Sequence, residues 1–339
     1  MTSQTERLLN SGIAFQEMLV MHPRLTQTHQ RLDELRALGR ATRGKPQKIL
    51  PIIGPSGSGK TTNFKTWRDG VATSVLPGSN SPPAILHVTL SAKCSVKQLG
   101  ADILQALGQF GLPVDIVDDL RGRQRGRRTR LIDPFHDLKD AVLMYAAAVA
   151  LDNAGIELLA IDELHHLIDK DQKGKIAWTV SEALKVLADM GVCPVAVIGT
   201  STAMRIVSAK NNPQFAARCA APVMLDPLDI TLKGDRTLFI GYIASLSKLL
   251  IKHGVFDEDQ GLTREDFVAC FYDVSRGVVG TVSRLVDNAS AIAIREGKDR
   301  IGREHLSEAT RTWAMPMDLT DHDPWMKGPR DLKLLKKVH

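Results

Sequence analysis

The sequence predicts an α/β fold in which a parallel sheet is covered on both faces by helices and followed by an all-helical C-terminal lid. Three observations carry that expectation. Between residues 48 and 228, short apolar runs of strand length alternate with helical patterns. A glycine-rich turn follows the first of these runs directly. Beyond Leu228 the strand-like runs stop and helical patterns take over. Alternation of strands and helices implies crossover connections, and these produce a three-layer arrangement with a doubly buried sheet.

Residues 1–47 read as a helical arm, with Leu8, Leu9, Ile13, Phe15 and Leu19 before Pro23 and Leu32, Leu35 and Leu38 after it. Lys48-Ile-Leu-Pro-Ile-Ile53 has strand length and β-branched residues, and is the first strand. Further strands are expected at 84–90, 156–161, 195–198 and 222–225, with helices at 96–110 and 135–153. Lid helices are expected at 235–253, 264–275, 281–296 and 303–313, the second opened by Thr263 as cap and Asp266 as its reciprocal acid. Pro316, Pro324 and Pro329 mark a linker, and a short tail follows with Lys333, Lys336 and Lys337. The expected boundaries are therefore an arm (1–47), an α/β core (48–230), a lid (231–313) and a linker with basic tail (314–339).

With 339 residues, 43% hydrophobic and 24% charged, the composition is that of an ordinary globular chain with more than one domain. The longest apolar stretch, residues 141–151, is shorter than the ~20 residues that span a bilayer, and the N-terminus shows no signal-peptide pattern. A cytoplasmic protein without a membrane partner is expected. Cys94, Cys193, Cys219 and Cys270 are widely spaced, form no C-x-x-C pair, and read as reduced structural thiols. The net charge is +6, and arginine crowds into one run containing Arg121, Arg123, Arg125, Arg127, Arg128 and Arg130. Such concentration suits a polyanionic partner; a solvated loop that binds nothing is the alternative.

Gly54-Pro-Ser-Gly-Ser-Gly-Lys-Thr61 fits the pattern G-x-x-x-x-G-K-[ST] between a strand and a helix. Gly54, Pro55, Ser56, Gly57, Ser58 and Gly59 are expected to turn backbone N–H groups onto phosphate oxygens, helped by the helix N-terminus that continues through Thr62. Lys60 then meets the β- and γ-phosphates of ATP, and the Thr61 hydroxyl ligates Mg2+. At the end of the 156–161 strand stand Asp162, suited to holding the magnesium through water, and Glu163, suited to polarising the attacking water. His165 and His166 follow with no third ligand at metal spacing, and read as polar residues near a helix start.

The strand at 195–198 ends in Gly199-Thr200, where a hydroxyl can sense the γ-phosphate. If subunits assemble so that one supplies positive charge to its neighbour's nucleotide, Arg218, with Arg205 as rival, is the best-placed arginine finger; a surface arginine at a helix end is the alternative. Gly280-Thr-Val-Ser-Arg284 opens a helix whose apolar face is Val282, Leu285, Val286, Ala289 and Ile292, and Arg284 lies off that stripe.

With these residues in place, the chain resembles the TniB/TnsC family of AAA+ transposition regulators over about residues 20–312, through His22-Pro-Arg24, the 54–61 loop, Ile161-Asp-Glu-Leu-His165, Gly199-Thr200, Gln214-Phe-Ala-Ala-Arg218 and the segment 280–285. The resemblance implies a P-loop AAA+ fold and an ATPase that assembles as a ring or helical filament on double-stranded target DNA. It implies a transposase recruited by that assembly and a target-selecting partner of the TniQ type. It makes Lys60 and Thr61 the Walker A pair, Asp162 and Glu163 the Walker B pair, Thr200 the first sensor, Arg218 the finger and Arg284 the second sensor. Lys93 and the arginine run are the candidate DNA contacts, although the run is more basic than the family pattern and equally suits a protein partner. A replication- or repair-type DNA loader and a nucleotide switch gating protein partners are the alternative functions.

Overall fold

The computed structural model describes residues 2–73, 84–90, 95–108, 113–116, 128–131, 139–164, 166, 175–208 and 210–331. In chain order the elements are α1 (Thr2–Glu17), α2 (Pro23–Ala41), β1 (Ile49–Ile53), α3 (Lys60–Thr73), β2 (Ile85–Thr89), α4 (Val96–Ala106), β3 (Pro113–Ile116), β4 (Arg128–Leu131), α5 (Asp140–Asn153), β5 (Leu158–Asp162) and α6 (Lys175–Asp189). There follow β6 (Val195–Gly199), α7 (Met204–Val207), α8 (Pro213–Ala216), β7 (Val223–Met224), α9 (Lys233–Lys252), α10 (Glu265–Ser275), α11 (Val279–Arg295), α12 (Arg303–Ala309) and α13 (Pro324–Lys327). Two compact units result, one from Thr28–Ile53 with Phe64–Met224, the other from Met1–Gln27, Gly54–Asn63 and Leu225–His339.

The first unit is built on a five-stranded sheet in the order β2-β5-β6-β1-β7, with every neighbouring pair parallel. β1, β5 and β6 are buried along their whole length, which explains why their sequences are continuous apolar runs rather than alternating ones. Pro51 is tolerated inside the sheet. The Ile49 N–H donates to the Arg218 carbonyl on the β7 side, so by alternation the N–H that Pro51 lacks would face the same side, where β7 pairs only with Ile52 and Ile53. Leu99 and Ile103 of α4, Leu143 and Leu151 of α5, and Leu184 of α6 form one core with Leu159 and Val197. The second half of α2 joins this unit by burying Leu32 and Leu35 and by pairing Arg36 with Glu157 at 2.5 Å. β3 and β4 form a separate antiparallel pair, from Pro113 opposite Leu131 to Ile116 opposite Arg128. The arginine run therefore ends in a strand, at Arg128 and Arg130.

In the second unit, Phe239, Ile243, Phe271, Leu285 and Val286 make the lid core. The α1 helix belongs to it: Gln4 Nε2 donates to the carbonyls of Ile294 (2.8 Å) and Arg295 (2.6 Å) in the last turn of α11. Two expectations are corrected here. Thr263 and Asp266 do not cap α10. Its N-cap is Arg264 without a side-chain bond, and Asp266 instead takes the Arg303 guanidinium, a stronger partner than a backbone amide. Residues 314–331 are not a linker, because they fold onto the lid. Trp325 is 2% exposed, lies edge-on to Phe267 and Phe271, and donates from Nε1 to Thr310 Oγ1 at 2.9 Å. Pro324 does not break this segment but opens α13, where Asp323 accepts the Trp325 N–H and a missing N–H costs nothing. Residues 332–339, with the lysine-bearing tail, lie outside the described residues. Among the described residues no helix is long and apolar enough to cross a membrane.

Candidate nucleotide site

The loop after β1 has the backbone that anion binding requires. Gly57 and Gly59 have φ of 79° and 80°, the left-handed region that glycine enters without steric cost, and the α3 helix opens at Lys60. Alternation of right- and left-handed residues turns successive N–H groups to one side, and the helix adds its positive end there. A side chain at Gly54 would lie 2.6 Å from the Leu225 carbonyl, so the loop needs glycine at that point. The Lys60 ammonium donates to the carbonyls of Gly54 (2.8 Å) and Pro55 (2.7 Å), which keeps its charge within the loop. Thr61 and Thr62 occupy the first turn of α3, Thr61 half-buried and Thr62 exposed.

The same unit brings lid residues to this loop. The first turn of α11 has no side-chain cap, and the Gly280 N–H donates to the Gly57 carbonyl at 3.0 Å. A Cβ at Gly280 would stand 2.2 Å from that oxygen. Gly277, at φ 82°, exchanges close backbone contact with Leu228, whose N–H donates to the Gly277 carbonyl at 3.0 Å. Beside the loop is a small pocket lined by His22, Arg24, Pro55, Ser58, the segment 225–228 and residues 277–279. Arg24 is fixed there by Asp235 (2.5 Å) and the Asp226 carbonyl (2.9 Å). Burial, then the Arg24 charge, pushes the His22 imidazole below its usual pKa. Arg284 lies on the next turn of α11 with its side chain exposed. His22 and Arg24 entered the sequence reading only as part of a family pattern; their place beside Pro55 depends on chain-distant packing that no local signal encodes.

In the sheet unit, Asp162 ends β5 and is 2% exposed. Its Oδ1 accepts the Glu163 N–H at 2.8 Å, and its Oδ2 faces His87 Nε2 at 3.4 Å. Glu163 has φ 61°, a conformation that costs a residue with a Cβ about 1–2 kcal/mol and that gathers at functional sites. The Leu164 N–H, donated to Ile198 at 2.9 Å, ties this turn to β6. Register aligns the strand ends: Ile161 faces Val197, and Ile53 faces Gly199. Thr200, just past Gly199, shares a 2.7 Å hydrogen bond with Thr202 through its hydroxyl. His166 places a ring nitrogen 3.1 Å from the Leu90 carbonyl, and His165 lies outside the described residues.

Arg218 makes a two-point bridge with Asp189, both contacts at 2.9 Å, and the hydrogen bond raises the guanidinium pKa further. Arg205 is exposed and makes no ion pair among the described residues. Of the candidate DNA contacts, Arg128 and Arg130 fall in β4, whereas Lys93, Arg121, Arg123, Arg125 and Arg127 lie outside the described residues. Cys193, Cys219 and Cys270 are thiols; burial pushes the first two up to about 12 and the third to about 11. Cys94 lies outside the described residues.

Residues 42–207 match the family model described as an AAA domain. Among solved structures the chain is similar to the Aeropyrum pernix ORC2 protein in its ADPNP-ADP complexes, with a TM-score of 0.59 at 12% identity over 88% of this chain and 70% of that one. It is similar to CDC6P from Pyrobaculum aerophilum, with a TM-score of 0.53 at 15% identity over 88% and 70%. A Walker-type ATPase of Pyrococcus abyssi gives 0.51 at 9% identity over 86% and 73%. None of the curated proteins compared matches the chain. At these identities the likeness is one of fold, and the chain has the P-loop AAA+ fold with a helical C-terminal region.

Proposed function

We propose that this chain binds and hydrolyses Mg·ATP, and that the nucleotide cycle governs its assembly on double-stranded DNA as a regulator of transposition. The nucleotide reading rests above all on the 54–61 loop, whose left-handed Gly57 and Gly59 and inward-held Lys60 ammonium suit a polyphosphate. In this reading the pocket beside Pro55 takes the base, the amides of residues 57–61 take the phosphates, and Lys60 neutralises the β- and γ-oxygens. Within the sheet, β1, β5 and β6 are adjacent and end together, Ile53 being the register partner of Gly199. Open α/β sheets bind ligands at this carboxyl edge.

The donors available suit magnesium, which prefers hard oxygen ligands: the Thr61 hydroxyl and the Asp162 carboxylate would hold it. When bound, the ion offsets charge on the β- and γ-phosphate oxygens. Glu163 orients the attacking water and accepts its proton, Thr200 reports the γ-phosphate, Arg284 approaches from the lid, and Arg218 acts on a neighbouring subunit's phosphoryl group. Dependence on a residue from another subunit makes turnover follow assembly.

Support for the transposition reading is the sequence resemblance and the arginine-rich run. Contacts to phosphates position a protein without reading sequence, so binding of this kind is tolerant of target sequence and weakened by salt. The test has two stages. Calorimetry is expected to detect ATP binding that Lys60→Ala removes, and Glu163→Gln to keep binding while turnover stops. Random duplex DNA is then expected to shift in a length-dependent way with a non-hydrolysable ATP analogue, and the DNA-bound protein to retain a transposase encoded beside it. Wild-type affinity in Lys60→Ala defeats the nucleotide reading; nucleotide binding without any DNA shift, even at low salt, leaves the switch that gates protein partners.

A further inference from the structure

The β2 strand carries one polar side chain into an otherwise apolar layer. His87 lies between Leu86 and Val88, and its side chain is 8% exposed. Burying an imidazole without a hydrogen bond is costly, yet Nε2 is buried and has no hydrogen-bond partner among the described residues. It faces one atom in particular, Asp162 Oδ2, at 3.4 Å. Register explains the approach: His87 is opposite Ala160, and Asp162 lies two residues farther along β5, on the same face. The other side of the ring is held by Phe64, with centroids 5.1 Å apart. The imidazole is thereby fixed between an aromatic ring and a carboxylate. That carboxylate is held at Oδ1 by the Glu163 N–H.

We propose that His87 is a positioning residue for Asp162: its Nε2–H donates to Oδ2 when magnesium and nucleotide are bound, fixing the carboxylate in the orientation that holds the ion. This rests on the nucleotide reading above. At 3.4 Å the two atoms are a small side-chain adjustment away from a hydrogen bond. Outer-shell partners of ligating groups set ligand orientation, and their removal commonly costs about 10–100-fold in metal affinity. A merely structural role would ask only that the ring fill space beside Phe64.

Two substitutions in the full chain separate these roles. His87→Phe keeps the aromatic packing and removes the donor; His87→Gln keeps a donor and gives up the ring. Mn2+ binding to the protein with ADP, read from the loss of the free-ion electron paramagnetic resonance signal, is expected to weaken by about tenfold or more in His87→Phe. His87→Gln is expected to stay within about threefold of wild type. ADP binding in excess chelator, where no divalent ion takes part, is expected to be equal in all three proteins. Wild-type Mn2+ affinity in His87→Phe overturns the proposal, as does a loss in His87→Gln as large as in His87→Phe. Should His87→Phe fail to fold, His87→Leu makes the same comparison. Asp162→Asn is the control on the premise: if it retains Mn2+ like wild type, the assignment of Asp162 fails, whereas its loss with His87→Phe intact removes only the role of His87.

Discussion

Gly280→Ala tests whether the lid helix and the phosphate loop act as one piece. Gly280 has an ordinary helical position, second in α11, and alanine there ordinarily stabilises a helix by up to about 1 kcal/mol. Here the sign is expected to reverse. The new methyl carbon would stand 2.2 Å from the Gly57 oxygen, whereas ordinary contact begins at 3.4 Å, so helix and loop must separate by about an ångström. Separation breaks the 3.0 Å bond from the Gly280 N–H, at about 0.5–1.5 kcal/mol, and the overpacking adds about 1–3 kcal/mol. After the helix gain is set against these, a net loss of about 1–3 kcal/mol remains. Gly57 cannot absorb the shift cheaply, because it already occupies φ 79° inside the loop. The loss is therefore expected to appear as ATP affinity lowered by about 5- to 150-fold, shared with a lower urea midpoint. Calorimetry and urea unfolding of Gly280→Ala beside Thr281→Ala measure both. Wild-type affinity together with a midpoint at or above wild type refutes the coupling.

Three shorter expectations use other parts of the chain. Arg330→Ala removes the guanidinium that meets Asp273 Oδ1 at 2.8 and 3.0 Å and leaves a carboxylate with 0% side-chain exposure; a loss of about 3–5 kcal/mol in urea unfolding, followed by tryptophan fluorescence, is expected, and replacing both residues by leucine is expected to recover most of it. Glu163→Gly releases the strain at φ 61° at the cost of extra chain entropy, so stability is expected to hold or rise by up to about 1 kcal/mol while phosphate release stops. His22 has a folded pKa below its unfolded 6.5, so the unfolded chain binds more protons as pH falls through 6.5; its stabilising contribution is complete above that pH and declines below it, and urea midpoints between pH 7.5 and 5.5 are expected to fall less in His22→Phe than in wild type.

How much of this was legible in sequence depended on whether the signal was local. β1, β5 and β6 announce themselves because a doubly buried strand is a continuous apolar run bounded by glycine or aspartate. The 54–61 loop announces itself because phosphate binding demands glycine and lysine at fixed spacing. The helix α6 has a buried face of Val180, Leu184, Leu187 and Ala188 but no motif or cap to mark it in the sequence. Trp325 was unreadable for another reason: prolines on either side suggest a linker, and only contact with Phe267 and Phe271 makes the segment part of the lid. Asp266 satisfied a capping pattern that a distant arginine overrode. His87 carries no motif at all. Its meaning comes from a parallel register that places it two residues from the level of Asp162, and pairing across a crossover is information that spacing along the chain does not contain.

The proposed finger raises the question of what holds it in a single chain. Arg218 is bound at two points by Asp189 of the same unit, and a finger must exchange that carboxylate for a neighbouring subunit's phosphoryl oxygens. Both side chains are 35% exposed, so water and salt ions can replace either partner, and pairs of this kind are weak latches. Asp189→Ala is therefore expected to raise the turnover of assembled protein, by no more than about fivefold, through release of Arg218. Arg205 makes no ion pair among the described residues, and turnover driven by it would not respond to Asp189. Phosphate release on DNA from Asp189→Ala, Arg218→Ala and Arg205→Ala distinguishes the two, with ATP affinity of the isolated chain unchanged in all three. Loss in Arg218→Ala with a gain in Asp189→Ala supports Arg218; loss in Arg205→Ala with no effect of Asp189→Ala moves the role to Arg205; and full turnover in both arginine variants refutes a finger from this part of the chain.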